Sequence, residues 1–582
     1  MLKRSSSILF EKFLRYLFPA ILTMAALSLS EFADSMIVAN LLGEKALTII
    51  QLGYPLVLVA ATCYVLIGSG ASTLYSIALG EGKRNKAGTI FSISMIAALI
   101  LGIIIFLAEI SFFNPLANQI CKNQELLSDF KKYLFVLLFS SPFLVTFLSF
   151  LFFLPPSGAP LLATIANIIA NVINIMMDYV YIHFFKMGVE GAAWATLTGY
   201  VAAIIFIIFA LKIKKIDIRK KLPCKQDFIL LKDIITTGSP YSISQLGFVI
   251  KFSFFNSLAV SLGGSHAIIA FSLFVQALSI VSIFLSADLQ ATSPFVAFLH
   301  GQKDFQGEKR ILHISFITQF IFAALSTAYF TGFPSSFARL YDIQTGPSLV
   351  IAEKALRITS IHFIIRGFYM VFLVYLQVLG RKAYALFISL FDGFIGNILV
   401  ALLLCHFTGL DGIWWTFPIT AILLLLLVLP VNLIIAGKSD GKLQGIFLTE
   451  KNPENPPLLD LTMIADDADL SDVSKKAYNI FIENGFSSKL ALKASLIIEE
   501  IAVFTKRRLD KKGYIDLFTL LGQDRLEINF RCIGATGALD EKSEKDLDEN
   551  LAILKGMADK IEYDFIMGMS CMRIIINRKE KL

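Results

Sequence analysis

Four polar side chains punctuate an otherwise apolar stretch of the chain: Asn167, Asn171, Asn174 and Asp178. Spacings of four, three and four put them on one face of a helix. The surrounding segment, 159–184, is rich in Leu, Ile, Ala, Val and Met and is long enough to cross a bilayer. A carboxylate facing lipid at the centre of such a helix costs about 2.5–3.5 kcal/mol on insertion scales. The stripe is therefore expected to face a water-filled cavity, where its oxygens can handle protons or ions. Asp34 follows another long apolar run, with Glu31 one turn before it. Two carboxylates brought together away from water favour sharing a proton. With Asn and Thr oxygens added, the same set offers hard ligands for Na⁺. Structural readings stand beside these: an interfacial place for Asp34, an interhelical hydrogen bond for Asp178, and helix packing for Asn167, Asn171 and Thr196.

The elements that would position these residues are membrane spans. The chain has 582 residues, 56% of them hydrophobic, with a mean hydropathy of +0.70. Long apolar runs separated by short charged breaks exclude an ordinary soluble protein. Twelve spans are expected, at 13–40, 47–79, 88–110, 131–154, 159–184, 190–212, 235–261, 267–299, 311–331, 354–380, 384–406 and 411–436. From about residue 440 the composition becomes that of a soluble domain. Residues 450–582 hold 24 acidic and 20 basic residues, leaving 21 and 32 for residues 1–449. The basic excess sits in alternate loops: Lys83, Arg84 and Lys86; the run 212–225; Lys303, Lys309 and Arg310; Arg381 and Lys382. The positive-inside rule makes these loops, and with them both termini, cytoplasmic. The excess is a topology signal and gives no ground for a nucleic-acid partner. The six cysteines show no CxxC pairing, so reduced or buried thiols are expected and no metal site. No cleavage-site pattern follows Lys3 and Arg4, so the first span is read as retained.

The membrane part is written twice. Pro19 and Pro240, Gly43 and Gly264, Gly80 and Gly301, Gly188 and Gly409, Gly191 and Gly412, and Trp194 and Trp415 are each 221 residues apart. This predicts two six-helix bundles, 1–221 and 222–440, in parallel orientation with a substrate path between them, followed by a soluble domain, 441–582. Such duplication is a mark of transporters and fits channels or membrane enzymes less well. The carboxylates have no copies: the same offset carries Asp34 to Phe255 and Asp178 to Leu399, while Asn171 maps to Asp392. Asp392 or Asp288 leaves a coupling acid in the second half open. Lys251 and Arg366, in or near spans, could pair with an acid, snorkel, or contact an anionic substrate.

Several motifs in order resemble the MATE (multidrug and toxic compound extrusion) family of a wider flippase-like superfamily, over about residues 10–436. They are Asn174-Ile-Met-Met-Asp178 followed by Met187-Gly-Val-Glu-Gly-Ala-Ala-Trp-Ala-Thr196; Gly68-Ser-Gly70-Ala71 and Leu79-Gly80-Glu-Gly82; Thr292-Ser-Pro294 and Gly301-Gln-Lys-Asp304; and Gln377-Val-Leu-Gly380 with Gly409-Leu-Asp-Gly412. The resemblance implies an exporter of small amphipathic cations driven by H⁺ or Na⁺ antiport across the cell's inner membrane, with no cofactor. It places the coupling carboxylates on Asp34 and Asp178 and their helpers on Asn174 and Thr196. Asn167, Asn171 and Asp392 are expected to line the cavity.

Lys489–Arg508 and Leu551–Lys560 read as helices; Tyr514–Leu521, Arg525–Cys532 and Met572–Asn577 read as strands. An α/β sandwich is expected for the tail. Leu496-Ile-Ile-Glu-Glu500 resembles the first nucleotide box of the histidine-kinase-like ATPase fold of anti-sigma-factor kinases. The resemblance implies a metal-holding Asn where Phe504 stands, an adenine-reading Asp where Cys532 stands, and lid glycines where Asp-Glu-Asn precedes Leu551. The expectation is a degenerate domain that does not bind ATP and serves regulation or a cytoplasmic protein partner. Alternatives to the exporter are a flippase for lipid-linked precursors, which would favour a strongly basic cavity, and a membrane sensor or scaffold signalling through the tail.

Overall fold

The computed structural model describes residues 7–213, 223–343, 345–450, 457–464, 467–508, 514–522, 524–533 and 549–577. The first half of the membrane part comprises α1 (Ser7–Leu42), α2 (Glu44–Gly80), α3 (Arg84–Ser111), α4 (Phe113–Ile120), α5 (Gln124–Phe153), α6 (Pro160–Tyr179) and α7 (Val189–Ile213). The second comprises α8 (Ile229–Gly301), α9 (Phe305–Gly332), α10 (Pro334–Leu340), α11 (Pro347–Thr359), α12 (Ile361–Val378), α13 (Lys382–Leu390), α14 (Gly396–Thr408) and α15 (Asp411–Gly437). Among the described residues, eleven helical stretches are long and apolar enough to cross a membrane. One of them is the 73-residue α8, which is broken at Gly264 by a φ of +58°.

The duplication is visible in the backbone. Gly43 (φ +82°) turns the chain between α1 and α2 where Gly264 breaks α8. Gly188 (+63°) and Gly409 (+59°) form a second such pair. Left-handed conformations are open to glycine because it lacks Cβ. The two halves meet along α2 and α8, where glycines allow backbone to touch backbone. A Cβ on Gly80 would lie 2.1 Å from Phe298 O, and one on Gly301 would lie 2.2 Å from Ile77 O. Ile77 and Phe298 are themselves 221 residues apart, so the crossing is close to two-fold symmetric. Each half has its own apolar core, built in the second half around Phe255, Phe271, Phe274 and Phe417.

The C-terminal part, with residues 1–15 and 305–310, forms a separate compact unit. It contains β1 (Leu443–Gln444), β2 (Thr449–Glu450), β3 (Asp460–Ile464), α16 (Asp467–Glu483), α17 (Ser488–Arg508), β4 (Tyr514–Leu521), β5 (Arg525–Cys532), α18 (Glu549–Met557), β6 (Lys560–Ile566) and β7 (Met569–Asn577). Five strands form an antiparallel sheet in the order β3-β4-β5-β7-β6. One sheet face carries Leu526, Ile528 and Phe530 into a core shared with Ile497, Ile501 and Phe504 of α17. The helix expected over Leu551–Lys560 stops at Met557, and Lys560 opens β6, whose side chains pair across to β7. Within this unit the Lys12 ammonium donates to the Gly568 carbonyl in the β6–β7 turn. All six cysteines are free thiols, and burial pushes the Cys532 thiol up to about 11.

Candidate functional site

The polar stripe of α6 runs along α1. Thr164 Oγ1 donates to Pro19 O at 2.9 Å, Asn167 Nδ2 to Thr23 O at 3.2 Å, and Asn171 Nδ2 to Ala26 O at 3.2 Å. Asn167 and Asn171 thus tie two helices together and are not among the described cavity-lining residues. A buried amide needs partners, and the carbonyls of α1 beyond Pro19 supply them. Thr164, three residues before Asn167, extends the same face and was not singled out in the sequence.

Further along, the stripe turns from structure to a site. Asn174 Nδ2 donates to Thr196 Oγ1 of α7 at 3.2 Å, and Thr196 Oγ1 donates to Ala192 O at 3.1 Å. The close approach of α7 depends on Gly199, where a Cβ would lie 2.5 Å from Ala170 O. Asp178, at the end of α6 just before a π-helical turn (Val180–Phe184), is fully buried. Neither of its oxygens receives a hydrogen bond from a described residue, and neither does Asp34 Oδ1. The Asp34 and Asp178 carboxyls lie within side-chain hydrogen-bonding reach of one another. Ionised carboxylates only accept, so a hydrogen bond between the two would require one of them to carry a proton. The Tyr133 ring of α5 lies within electrostatic range of both acids. No periodic pattern in the sequence marks it. The Glu31 side chain falls outside the described residues.

The equivalent place in the second half is apolar. Phe255 and Phe417 stand where the offset would carry Asp34 and Thr196, and their ring centroids are 4.9 Å apart. The charged groups of this half gather elsewhere. Asp392 lies in a π-helical turn, Phe391–Ile395. Its backbone carbonyl accepts from Lys251 Nζ at 3.1 Å and Asn397 Nδ2 at 2.6 Å. Lys251 is buried and does not snorkel. It reaches Asp392 because Gly247, one turn earlier, packs on Gly393, where a Cβ would lie 2.9 Å from the facing Cα. The Asp392 carboxylate lies beside the Tyr369 hydroxyl and in electrostatic range of Lys251, His362 and Arg366. Asp288 sits apart: its Oδ2 accepts from Ser315 Oγ at 2.5 Å and Gln319 Nε2 at 3.1 Å, joining α8 to α9.

Between the halves lies a cavity of about 440 Å³, a volume suited to a drug-sized ligand. Thr23, Tyr54, Tyr64 and Phe152 line it from one side, and Lys251, Arg366, Met370 and Asp392 from the other. Asp34 and Asp178 are not among its described walls. Among the described residues no cluster of three or more His, Cys, Asp or Glu side chains suits a metal ion.

A family model described as MatE matches the chain twice, at residues 19–180 and 240–403, with starts 221 residues apart. The chain is 23% identical to a probable multidrug resistance protein, YoeA, of Bacillus subtilis, over 73% of this chain and 94% of that protein. It is 26% identical to the multidrug export protein MepA of Staphylococcus saprophyticus, over 61% of this chain and 78% of that protein. Among solved structures, an outward-facing multidrug resistance MATE transporter of the MOP superfamily shares the fold with a TM-score of 0.66 at 23% identity, covering 71% of this chain and 92% of that one. A MOP superfamily transporter from Pyrococcus furiosus, reported with a binding pocket of reversed polarity, aligns with a TM-score of 0.66 at 24% identity, covering 74% of this chain and 96% of that one.

Proposed function

The chain belongs to the MatE family, a family of membrane transporters and not of enzymes, and from that premise we propose that it is a secondary active exporter driven by H⁺ or Na⁺ antiport through alternating access. The observation that carries the coupling is the facing pair Asp34 and Asp178, whose orphaned buried oxygens call for a proton or cation between them. Asn174 and Thr196 hold the adjoining turn of α6 to α7 and offer the further oxygens a Na⁺ ion would need. Loading the pair removes its repulsion and lets α1 close on α6; emptying it favours the opposite arrangement. No cofactor enters this cycle.

Splitting α8 at Gly264 supports twelve crossings, six in each of 1–221 and 222–440. The basic loops support cytoplasmic termini in the plasma membrane. The drug-export names of the relatives support a small-molecule cargo. The cation implied by the family finds only one acid, Asp392, among the described cavity walls. For residues 441–582 we propose a regulatory or partner-binding role without nucleotide. Phe504, where a metal-holding Asn would stand in a kinase-like domain, is part of the apolar core. The Lys12–Gly568 contact supports a link from the tail to the first turns of α1, the helix that carries Asp34.

The test is transport by the full chain in proteoliposomes, with lipophilic dyes of either charge and imposed proton or sodium gradients. Dye movement that follows one of the two ion gradients is expected; movement indifferent to both overturns the reading.

A further inference from the structure

The cavity between the halves holds more positive than negative charge. Its described walls carry three charged side chains: Lys251, Arg366 and Asp392. Lys251 binds the Asp392 backbone carbonyl and forms no close ion pair with its carboxylate. Arg366 is half-buried, and among the described residues its guanidinium makes no hydrogen bond or ion pair. The Asp392 carboxylate acts on both cations through space and offsets one of them. His362, also in range, can only add to the positive side. A guanidinium inside a membrane without a partner is costly, and its rigid fork of N–H donors matches an oxyanion. Ser282, Ser286 and Ser293 recur at helical spacing along the α8 wall and add neutral hydroxyl donors.

We infer that this cavity takes the anionic group of an amphipathic organic molecule — a carboxylate, sulfonate or phosphate ester — on Arg366 and Lys251, with the apolar body against the aromatic and aliphatic walls. The inference rests on the exporter reading, which makes the cavity the cargo site.

The test uses the full chain in nanodiscs and three dansyl amides that differ only at one end: a carboxylate, its methyl ester and a trimethylammonium. The carboxylate should bind about tenfold or more tightly than the ester, as expected for charge-assisted hydrogen bonds, with the trimethylammonium weakest. Arg366→Gln should erase the carboxylate's advantage, and Arg366→Lys should keep part of it. Lys251→Met is the second variant should Arg366→Gln fail to fold. Equal or tighter binding of the trimethylammonium, or a carboxylate preference unmoved in folded Arg366→Gln or Lys251→Met, would overturn the inference. The same probes in proteoliposomes separate the two claims. Gradient-driven movement of the trimethylammonium alone overturns the anion site and leaves the exporter. Anion-selective binding with no gradient-driven movement of any probe overturns the exporter and leaves the anion site.

Discussion

Asp34 and Asp178 differ from Asp288 and Asp392 in what surrounds them. Asp288 is held by a hydroxyl and an amide, and Asp392 sits among cations. Asp178 has no described donor at either oxygen. Asn174 and Thr196 adjoin the pair, so Asn174→Ala and Thr196→Val should each weaken gradient-driven transport about tenfold while the protein still folds. Initial rates at matched expression check this. At the repeat-related position, Phe255→Ala should lower stability by about 3–5 kcal/mol, the cost of emptying a packed aromatic site, read as a fall in the unfolding midpoint. The Asn and Asp positions were legible because helical spacing in an apolar run leaves polar groups only one face to share. The partners of Asn167 and Asn171 were not, because they are backbone carbonyls, which every sequence has. Tyr133 was hidden for a similar reason: an aromatic residue near a helix start carries no sign of what it faces.

Helices here are placed by where side chains are missing. At Gly238 a Cβ would lie 1.9 Å from Leu66 O, a contact with backbone that no rotamer relieves. Gly238→Val should therefore force α8 off α2 and reduce the yield of folded protein, measured by size-exclusion profile and thermal unfolding. The π-helical turn at Asp392 is the other positioning device, since it presents a carbonyl that accepts from Lys251 and Asn397. Asn397→Leu would leave that carbonyl one donor short in a buried setting, and a loss of about 1–3 kcal/mol is expected. The constant offset made the paired glycines readable, because duplicated turns need the same backbone freedom twice. Strands β4 and β5 were readable from their alternation around the turn at Gly522. The end of α18 was not: Ala558 and Asp559 carry no strong stop signal, and β6 is fixed by its pairing with β7.

The whole chain joins a duplicated transporter to a compact tail unit of different composition. The proposed coupling pair and the proposed cargo cavity both lie in the membrane unit, so deleting residues 450–582 should leave gradient-driven transport in place with an altered rate; complete loss in a well-expressed protein would make the tail part of the transport machinery. The full chain should also show no saturable ATP binding by equilibrium dialysis, given Phe504 in the apolar core. The duplication produces two similar halves, but among the described residues only the first keeps an acid pair, and so coupling is proposed for one side of the molecule. That claim is tested most directly by comparing gradient-driven uptake with substrate exchange in proteoliposomes for Asp34→Asn and Asp178→Asn. The account predicts that each variant loses accumulation under a proton or sodium gradient while exchange of substrate for substrate continues. Accumulation at the wild-type rate in both variants would contradict it.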